Sequence, residues 1–227
     1  KAAAEKHRLR DLEKMGEKSE NEILKAIEEL GTFSSSRHLI DKALQEAERY
    51  VEYMKRFPEA GHVQYAGSLR RWQETIGDID ILVTVKNAEK SHEKVMKHFT
   101  SYNEILNVTA AGETRSSVML QSGVQVDLRV VAEKSFGAAL HYFTGDKSHN
   151  VHIRDLAKRR GLKVNEYGVF KEKTNKRIAA ISEEGVYKTL KLPFIPAELR
   201  EDRGEIEAGL KGKLPKLLEL KDIKGDF

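Results

Sequence analysis

Residues 66 to 83 read Ala-Gly-Ser-Leu-Arg-Arg-Trp-Gln-Glu-Thr-Ile-Gly-Asp-Ile-Asp-Ile-Leu-Val, with two carboxylates one residue apart at the head of an apolar run. If the run is a strand, its period-2 alternation puts Asp78 and Asp80 on one face and Ile79, Ile81 and Val83 on the other. Two ionised carboxylates held side by side repel by roughly 4 kcal/mol at about 4 Å in an effective dielectric near 20. A divalent cation with hard oxygen ligands relieves that repulsion. A third carboxylate, Asp127, lies in Val-Gln-Val-Asp-Leu-Arg-Val, where Val126 and Leu128 point the other way and Gln125 and Arg129 share its face. Pairing of that strand beside the first brings three carboxylates together, as two Mg²⁺ ions about 3.5–4 Å apart require. Asp127 alone reads as an ordinary exposed strand residue; its conjunction with Gly77-Asp78-Ile79-Asp80 gives it meaning. Ahead of them, Gly67-Ser68 falls where a strand (Val63–Ala66) turns into a short helix (Leu69–Gln73). Amides at such a turn bind anionic oxygens, and glycine permits close approach. Arg71 adds a charge-assisted bond to phosphate, whereas Arg70 is expected to pair with Glu74 one helical turn on. The combination points to metal-dependent nucleotidyl transfer.

Further along, His141-Tyr142-Phe143-Thr144-Gly145 places two aromatics before a glycine, either as core packing or as the floor beneath a sugar. Asn150 and Arg154 stand four apart on one face of the following helix, where donors can meet the minor-groove acceptors that every base pair offers. His149 and His152, three apart, lack a third ligand at suitable spacing and read as surface or nucleic-acid-facing side chains. Lys158-Arg159-Arg160, Lys171, Lys173, Lys176 and Arg177 concentrate positive charge, suited to a phosphate backbone or to a solvated helix face.

These side chains need a scaffold, and 227 residues with 39% apolar and 33% charged content suffice for one domain or two small ones. The net charge is +4 and there is no cysteine, which excludes disulfides and thiolate metal sites and fits a cytoplasmic location. No stretch approaches the ~18 apolar residues of a membrane span. The first residue is Lys1 rather than Met, as expected of an excised piece of a longer chain.

Residues 1–31 read as helix, with Ser19 and Glu22 as a capping box and Ile23, Leu24, Ile27 and Leu30 as an apolar stripe ending at Gly31. Lys14-Met15-Gly16-Glu17-Lys18 is either the turn of a helix-hairpin-helix or an ordinary interhelix turn. Ser34-Ser35-Ser36 caps an amphipathic helix over about 37–56, stopped by Pro58. Strands follow at His62–Ala66, Asp78–Val85, Ile105–Val108, Ser117–Gln121 and Val124–Val131, the last two around a two-residue turn at Ser122-Gly123. Helical patterns fall at Ser91–Phe99, Ser135–Tyr142, Ser148–Arg160 and Glu183–Leu190, with short strands between Lys163 and Ile178. The charge-rich stretch after Pro193 reads as linker.

Taken together, Gly67-Ser68-Leu69-Arg70-Arg71, Gly77-Asp78-Ile79-Asp80, Val126-Asp127-Leu128-Arg129, Tyr142-Phe143-Thr144-Gly145 and Asn165-Glu166-Tyr167-Gly168 resemble a family X DNA polymerase of the bacterial and archaeal branch, related to polymerase beta. The resemblance spans nearly the whole chain. It implies an α+β fold: a helical fingers remnant (1–36), a nucleotidyltransferase palm (37–133), a small α/β thumb-like nucleotide-selecting subdomain (134–196) and a linker (197–227) toward an absent phosphoesterase domain. It implies Asp78, Asp80 and Asp127 as ligands of two Mg²⁺ or Mn²⁺ ions, with Asp127 nearest the primer 3′-hydroxyl. Gly67, Ser68, Arg71 and Arg37 would bind the triphosphate, Tyr142, Phe143 and Gly145 would line the sugar pocket, and Asn150 would touch the incoming base. Arg129, Arg154, Glu166 and Tyr167 would serve the DNA, the last two by holding Arg154.

The implied activity is primer extension from deoxynucleoside triphosphates in short-gap repair, by a monomer acting on gapped or primer-template DNA in a prokaryotic cytoplasm. A template-independent nucleotidyltransferase acting on tRNA or a small molecule is the alternative, and a catalytically silent DNA-binding scaffold is a third reading. Gln125 departs from the family by standing where an arginine buttresses the primer-side aspartate. Asp146, Lys147 and His149 also differ around the nascent base. With no lyase-type or phosphoesterase domain in the sequence, neither gap-phosphate anchoring nor 3′–5′ nuclease activity is expected of these residues.

Overall fold

The computed structural model describes residues 6, 8–10, 15–21, 23–24, 37–85, 88–179, 181–222 and 224–225. The chain forms two units, Lys1–His38 and Leu39–Phe227. In the first, residues 17–21 are helical. Glu20 is wholly buried there, paired with Arg10 and accepting the Leu9 amide at 3.2 Å. The Ser19/Glu22 capping box, the stripe ending at Gly31, the turn beginning at Lys14 and the Ser34–Ser36 cap all involve residues outside those described.

The second unit opens with α1 (Ile40–Lys55), whose Ala43, Ala47, Tyr50, Val51 and Met54 are buried at helical spacing. It begins three residues later than the sequence pattern suggested, with Leu39 at its cap making no side-chain bond. Next come β1 (Ala60–Tyr65), the helical turn α2 (Gly67–Arg70), β2 (Asp78–Val85), α3 (Ala88–Phe99), β3 (Ile105–Ala111), β4 (Arg115–Leu120) and β5 (Gln125–Val131). The strands form one sheet in the order β1-β2-β5-β4-β3. β2 and β5 run parallel and the other neighbours antiparallel.

Strand β2 lies inside this sheet, and every residue from Ile81 to Val85 is buried. Both of its faces are covered, so the alternation of a one-sided strand fades after Asp80. Ile79, Ile81, Val83 and Val85 join α1 and α3 in the larger core, while Leu82 packs on the other face with Ala66, Ala139 and Leu140. Asp78 and Asp80 share the face of Leu82, at its amino-terminal end.

The turn between β4 and β5 has three residues rather than the expected two. The Leu120 amide donates to the Val124 carbonyl and the Gly123 amide to the Leu120 carbonyl, both at 2.9 Å. Gly123 at φ +81° supplies the left-handed residue that a three-residue hairpin loop requires.

Beyond the sheet, α4 (Phe136–Thr144) and α5 (Lys147–Arg159) lead into an antiparallel meander of β6 (Leu162–Asn165), β7 (Gly168–Lys171) and β8 (Arg177–Ala179). Helices α6 (Glu183–Thr189) and α7 (Glu205–Leu210) follow. Asp146 caps α5 by accepting the His149 amide at 2.8 Å, and Ser182 caps α6 by accepting the Gly185 amide at 3.1 Å. Ile153, Val169, Val186, Tyr187 and Leu190 form a second core. The stretch after Pro193 is not a solvated linker throughout: Ile195 and Ile206 belong to this core, and Arg200 is fully buried. Its charge-rich composition hid the fact that the charges are paired internally.

Candidate active site

The parallel register of β2 and β5 sets Asp78 opposite Gln125, Asp80 opposite Asp127 and Leu82 opposite Arg129. Paired positions on adjacent strands point to the same face, so the three aspartates, Gln125 and Arg129 share one surface. Asp78 is exposed, Asp80 half-buried and Asp127 buried. Asp127 is clamped on both oxygens: Gln125 Nε2 donates to Oδ1 at 2.8 Å and Arg115 Nη2 to Oδ2 at 3.1 Å. Burial and the neighbouring charges of Asp78 and Asp127 push the Asp80 carboxyl up to about 7, against the opposing pull of Arg129 and Arg115. The face gathers three carboxylates beside two arginines, and its hard anionic oxygens suit a divalent cation such as Mg²⁺ or Mn²⁺. Among the described residues no three such side chains stand close enough to enclose an ion.

The Gly67–Arg70 turn abuts this face. Gly67 adopts φ +62°, and a Cβ there would stand 2.4 Å from Asp80 Oδ2. Glycine is required both by the left-handed backbone and by contact with the carboxylate. Ser68 is half-buried in the same turn.

The two arginines that follow are both anchored toward α4 and the carboxy-terminal segments. Arg70 does not meet Glu74. The helical turn ends at Arg70, so Glu74 is not one turn on, and Arg70 instead forks onto Glu183 at 2.9 and 2.6 Å and donates to Thr144 Oγ1 at 2.7 Å. Glu183 also accepts from the buried Arg200 at 2.5 Å. Burial alone would raise the Glu183 carboxyl; bonds and charge from Arg70 and Arg200 outweigh it and hold the group below its usual range. Arg71 donates to the Thr144 carbonyl at 2.5 Å and to Glu201 at 2.6 Å, and Gln73 donates to the same Glu201 oxygen at 3.0 Å. The arginine expected to bind phosphate thus has a carboxylate against it.

The two aromatics differ in their surroundings. Arg129 lies over the Phe143 ring, 4.4 Å from its centroid, with its Nε buried and unpartnered. Tyr142 faces a concavity of about 470 Å³ that it lines with Arg154, Lys158, Lys163 and Glu166. Asn150 Nδ2 donates to the Tyr142 carbonyl at 2.7 Å, and its Oδ1 is buried without a partner. Gly145, at φ +73°, lies against Arg71. Arg154 is exposed on α5 and donates to the Asn150 carbonyl at 3.3 Å. Tyr167 is 61% exposed, and no hydrogen bond among those described ties Arg154 to Glu166 or Tyr167. Arg37 is exposed and belongs to the amino-terminal unit.

His149 is neither at the surface nor nucleic-acid-facing. It is fully buried, with Nδ1 2.6 Å from Glu205 and Nε2 3.0 Å from the Tyr187 hydroxyl. Its place one turn after the Asp146 cap turns it inward. His152 contacts Asp202 at 2.8 Å on the outer side. Arg115, Thr144, Glu183, Arg200 and Glu201 also serve these side chains, and no local motif marks them. Arg115 reaches Asp127 diagonally, because Ser117 is the residue directly opposite it. Only the strand register supplies that signal.

Residues 35–132 match the DNA polymerase beta palm and residues 139–201 the DNA polymerase beta thumb. The whole chain aligns at 36% identity with the DNA polymerase/3′-5′ exonuclease PolX of Bacillus subtilis, spanning 39% of that protein's length. It is 31% identical to the repair DNA polymerase X of African swine fever virus over 132 residues, 55% of this chain and 72% of the viral protein. Among solved structures, the fold resembles Leishmania infantum polymerase beta in a ternary primer–template complex, with TM-score 0.68 at 21% identity over 88% of this chain and 87% of that one. The corresponding gap complex gives TM-score 0.65 at 22% identity, over 73% and 71%. The described strand register, the glycine-serine turn beside it and these matches over the palm and thumb agree: the chain belongs to the family X DNA polymerases.

Proposed function

We propose that the chain is a polymerase core that extends a primer 3′-hydroxyl from deoxynucleoside triphosphates on gapped or primer-template DNA, in short-gap repair synthesis. The observation that carries this reading is the register pairing Asp80 with Asp127 beside the Gly67-Ser68 turn. Asp78, Asp80 and Asp127 would hold two Mg²⁺ or Mn²⁺ ions. Such ions, when bound, lower the pKa of an attacking hydroxyl and neutralise charge on the leaving pyrophosphate. Ser68 and the adjacent backbone would receive β- and γ-phosphate oxygens, with Arg71 exchanging Glu201 for phosphate. Tyr142, Phe143 and Gly145 would bound the sugar, and Asn150, already fixed through Tyr142, would present its amide to the incoming base. Arg154, Lys158 and Lys163 offer positive charge along the groove beside Tyr142, suited to a nucleic-acid backbone. Arg129, Glu166 and Tyr167 would assist on the DNA side. In support of a templated reaction, the viral and bacterial relatives are named as DNA polymerases and the Leishmania structures as gap and primer–template complexes.

The test is single-nucleotide incorporation on gapped duplex with Mg²⁺ or Mn²⁺. Asp127→Asn should lose at least about 10³-fold in kcat. Equal incorporation with and without template, or full activity of Asp127→Asn, would overturn the assignment; transfer to tRNA in place of gapped DNA would favour the template-free alternative.

A further inference from the structure

We infer that Arg115 is a positioning residue for Asp127, taking over from a neighbouring strand the part that Gln125, being neutral, performs only in half. This rests on the polymerase reading above. Asp127 is buried, and each of its oxygens accepts one described side-chain hydrogen bond: Oδ1 from Gln125 at 2.8 Å and Oδ2 from Arg115 at 3.1 Å. Gln125 approaches along β5 itself, two residues before the aspartate and on the same face. Arg115 approaches from β4, where it lies opposite Arg129, two positions along from the Ser117 that faces Asp127. A diagonal neighbour at that offset is within reach of a long side chain.

The two donors bind different oxygens of the carboxylate and so fix its orientation. Only Arg115 brings charge. Its guanidinium side chain is 54% exposed while the carboxylate is 6% exposed, so the cation keeps its hydration and the anion does not. Arg115 is also anchored by the pairing of β4 with β5, so its reach to Asp127 does not depend on thumb position. A guanidinium placed at residue 125 would approach the same carboxylate from the same face.

The test uses the 227-residue chain in steady-state incorporation on a gapped duplex. Arg115→Gln should lower kcat about 10-fold, the effect of one charge-assisted hydrogen bond. The KM for nucleotide and the affinity for gapped duplex, including its salt dependence, should stay within twofold. Arg115→Lys should recover part of kcat, and the exchange Arg115→Gln with Gln125→Arg should bring it back to within about threefold of the unaltered chain. A melting temperature equal to that of the unaltered chain in each variant keeps the readings comparable. Loss of duplex affinity with a salt slope reduced by about one unit would make Arg115 a phosphate contact and overturn the inference. So would an exchange variant no better than Arg115→Gln, or Arg115→Gln at full kcat. An unaltered chain that incorporates nothing would instead defeat the polymerase reading, and this inference with it.

Discussion

Replacing Gly67 by alanine separates two costs that the structure makes distinct. The first is backbone: at φ +62° an L-residue is disfavoured by about 1–2 kcal/mol. For a chain of this size that corresponds to a melting temperature lower by about 2–8 °C. The second is contact. The new Cβ stands 2.4 Å from Asp80 Oδ2, 3.4 Å from its Cγ and 3.5 Å from its Cβ. A carbon tolerates a carbonyl-type oxygen at about 3.3 Å or more, so the carboxylate must swing by about 1 Å. It cannot retreat with its backbone, which is paired with Asp127 on one side and accepts the Ala66 amide at 2.8 Å on the other. A displacement of that size at a reacting centre costs about 10²-fold. Gly123→Ala is the matched control: φ is +81°, but nothing lies within 4 Å of its Cβ. Both variants should melt earlier by similar amounts, while only Gly67→Ala loses about 10²-fold in kcat/KM. Single-nucleotide incorporation, measured below both melting temperatures, reads the difference. Gly67→Ala active within threefold of the unaltered chain, or Gly123→Ala as impaired as Gly67→Ala, would refute the reasoning.

Other expectations follow from the buried charges. Glu183→Gln leaves Arg200 buried without its counter-charge and should cost about 3–5 kcal/mol in urea unfolding at pH 7. Because the folded Glu183 pKa is depressed, that advantage is complete above the unfolded value near 4.3 and fades as pH falls through the folded one. A gap between the two proteins that stayed constant from pH 7 down to pH 3 would contradict this. Burial, aided by the charges of Arg200, His149 and Arg70, holds His141 well below its ordinary pKa; burial also lowers His149 despite its bond to Glu205. The unfolded chain then binds more protons between those folded values and about 6.5, so stability should fall as pH drops from 7 toward 5. His141→Phe should flatten that slope in pH-dependent urea melts, and an unchanged slope would dismiss the account. Glu201→Gln removes the carboxylate that engages Arg71 at 2.6 Å and should tighten nucleotide binding about fivefold, roughly 1 kcal/mol. A weaker KM for nucleotide would show that Glu201 holds Arg71 in place rather than competing for it.

Much of the fold was legible because its periodicities are strong. Strand β2 runs over Asp78–Val85 as read, and α1, α3, α4, α5 and α6 fall within a few residues of their sequence patterns. What failed did so for identifiable reasons. Arg70 and Glu74 are spaced for a helical pair, but the helix ends at Arg70. His149 is buried although a polar side chain three residues from another histidine carries no mark of burial. The segment beyond Pro193 looked solvated because charge suggests exposure unless the opposite charge is known to be waiting, as Glu183 waits for Arg200.

Local order alone determined which residues are acidic on one face of a strand, where a glycine must sit and which segments are helical, since these depend on neighbours a few positions apart. The tertiary structure decided which strand lies beside which. The parallel register of Asp80 with Asp127, the diagonal reach of Arg115 and the pairing of Arg70 with Glu183 join residues 47, 12 and 113 positions apart. Such contacts depend on how two surfaces fit when both are buried, a property of the folded arrangement that no stretch of sequence carries by itself.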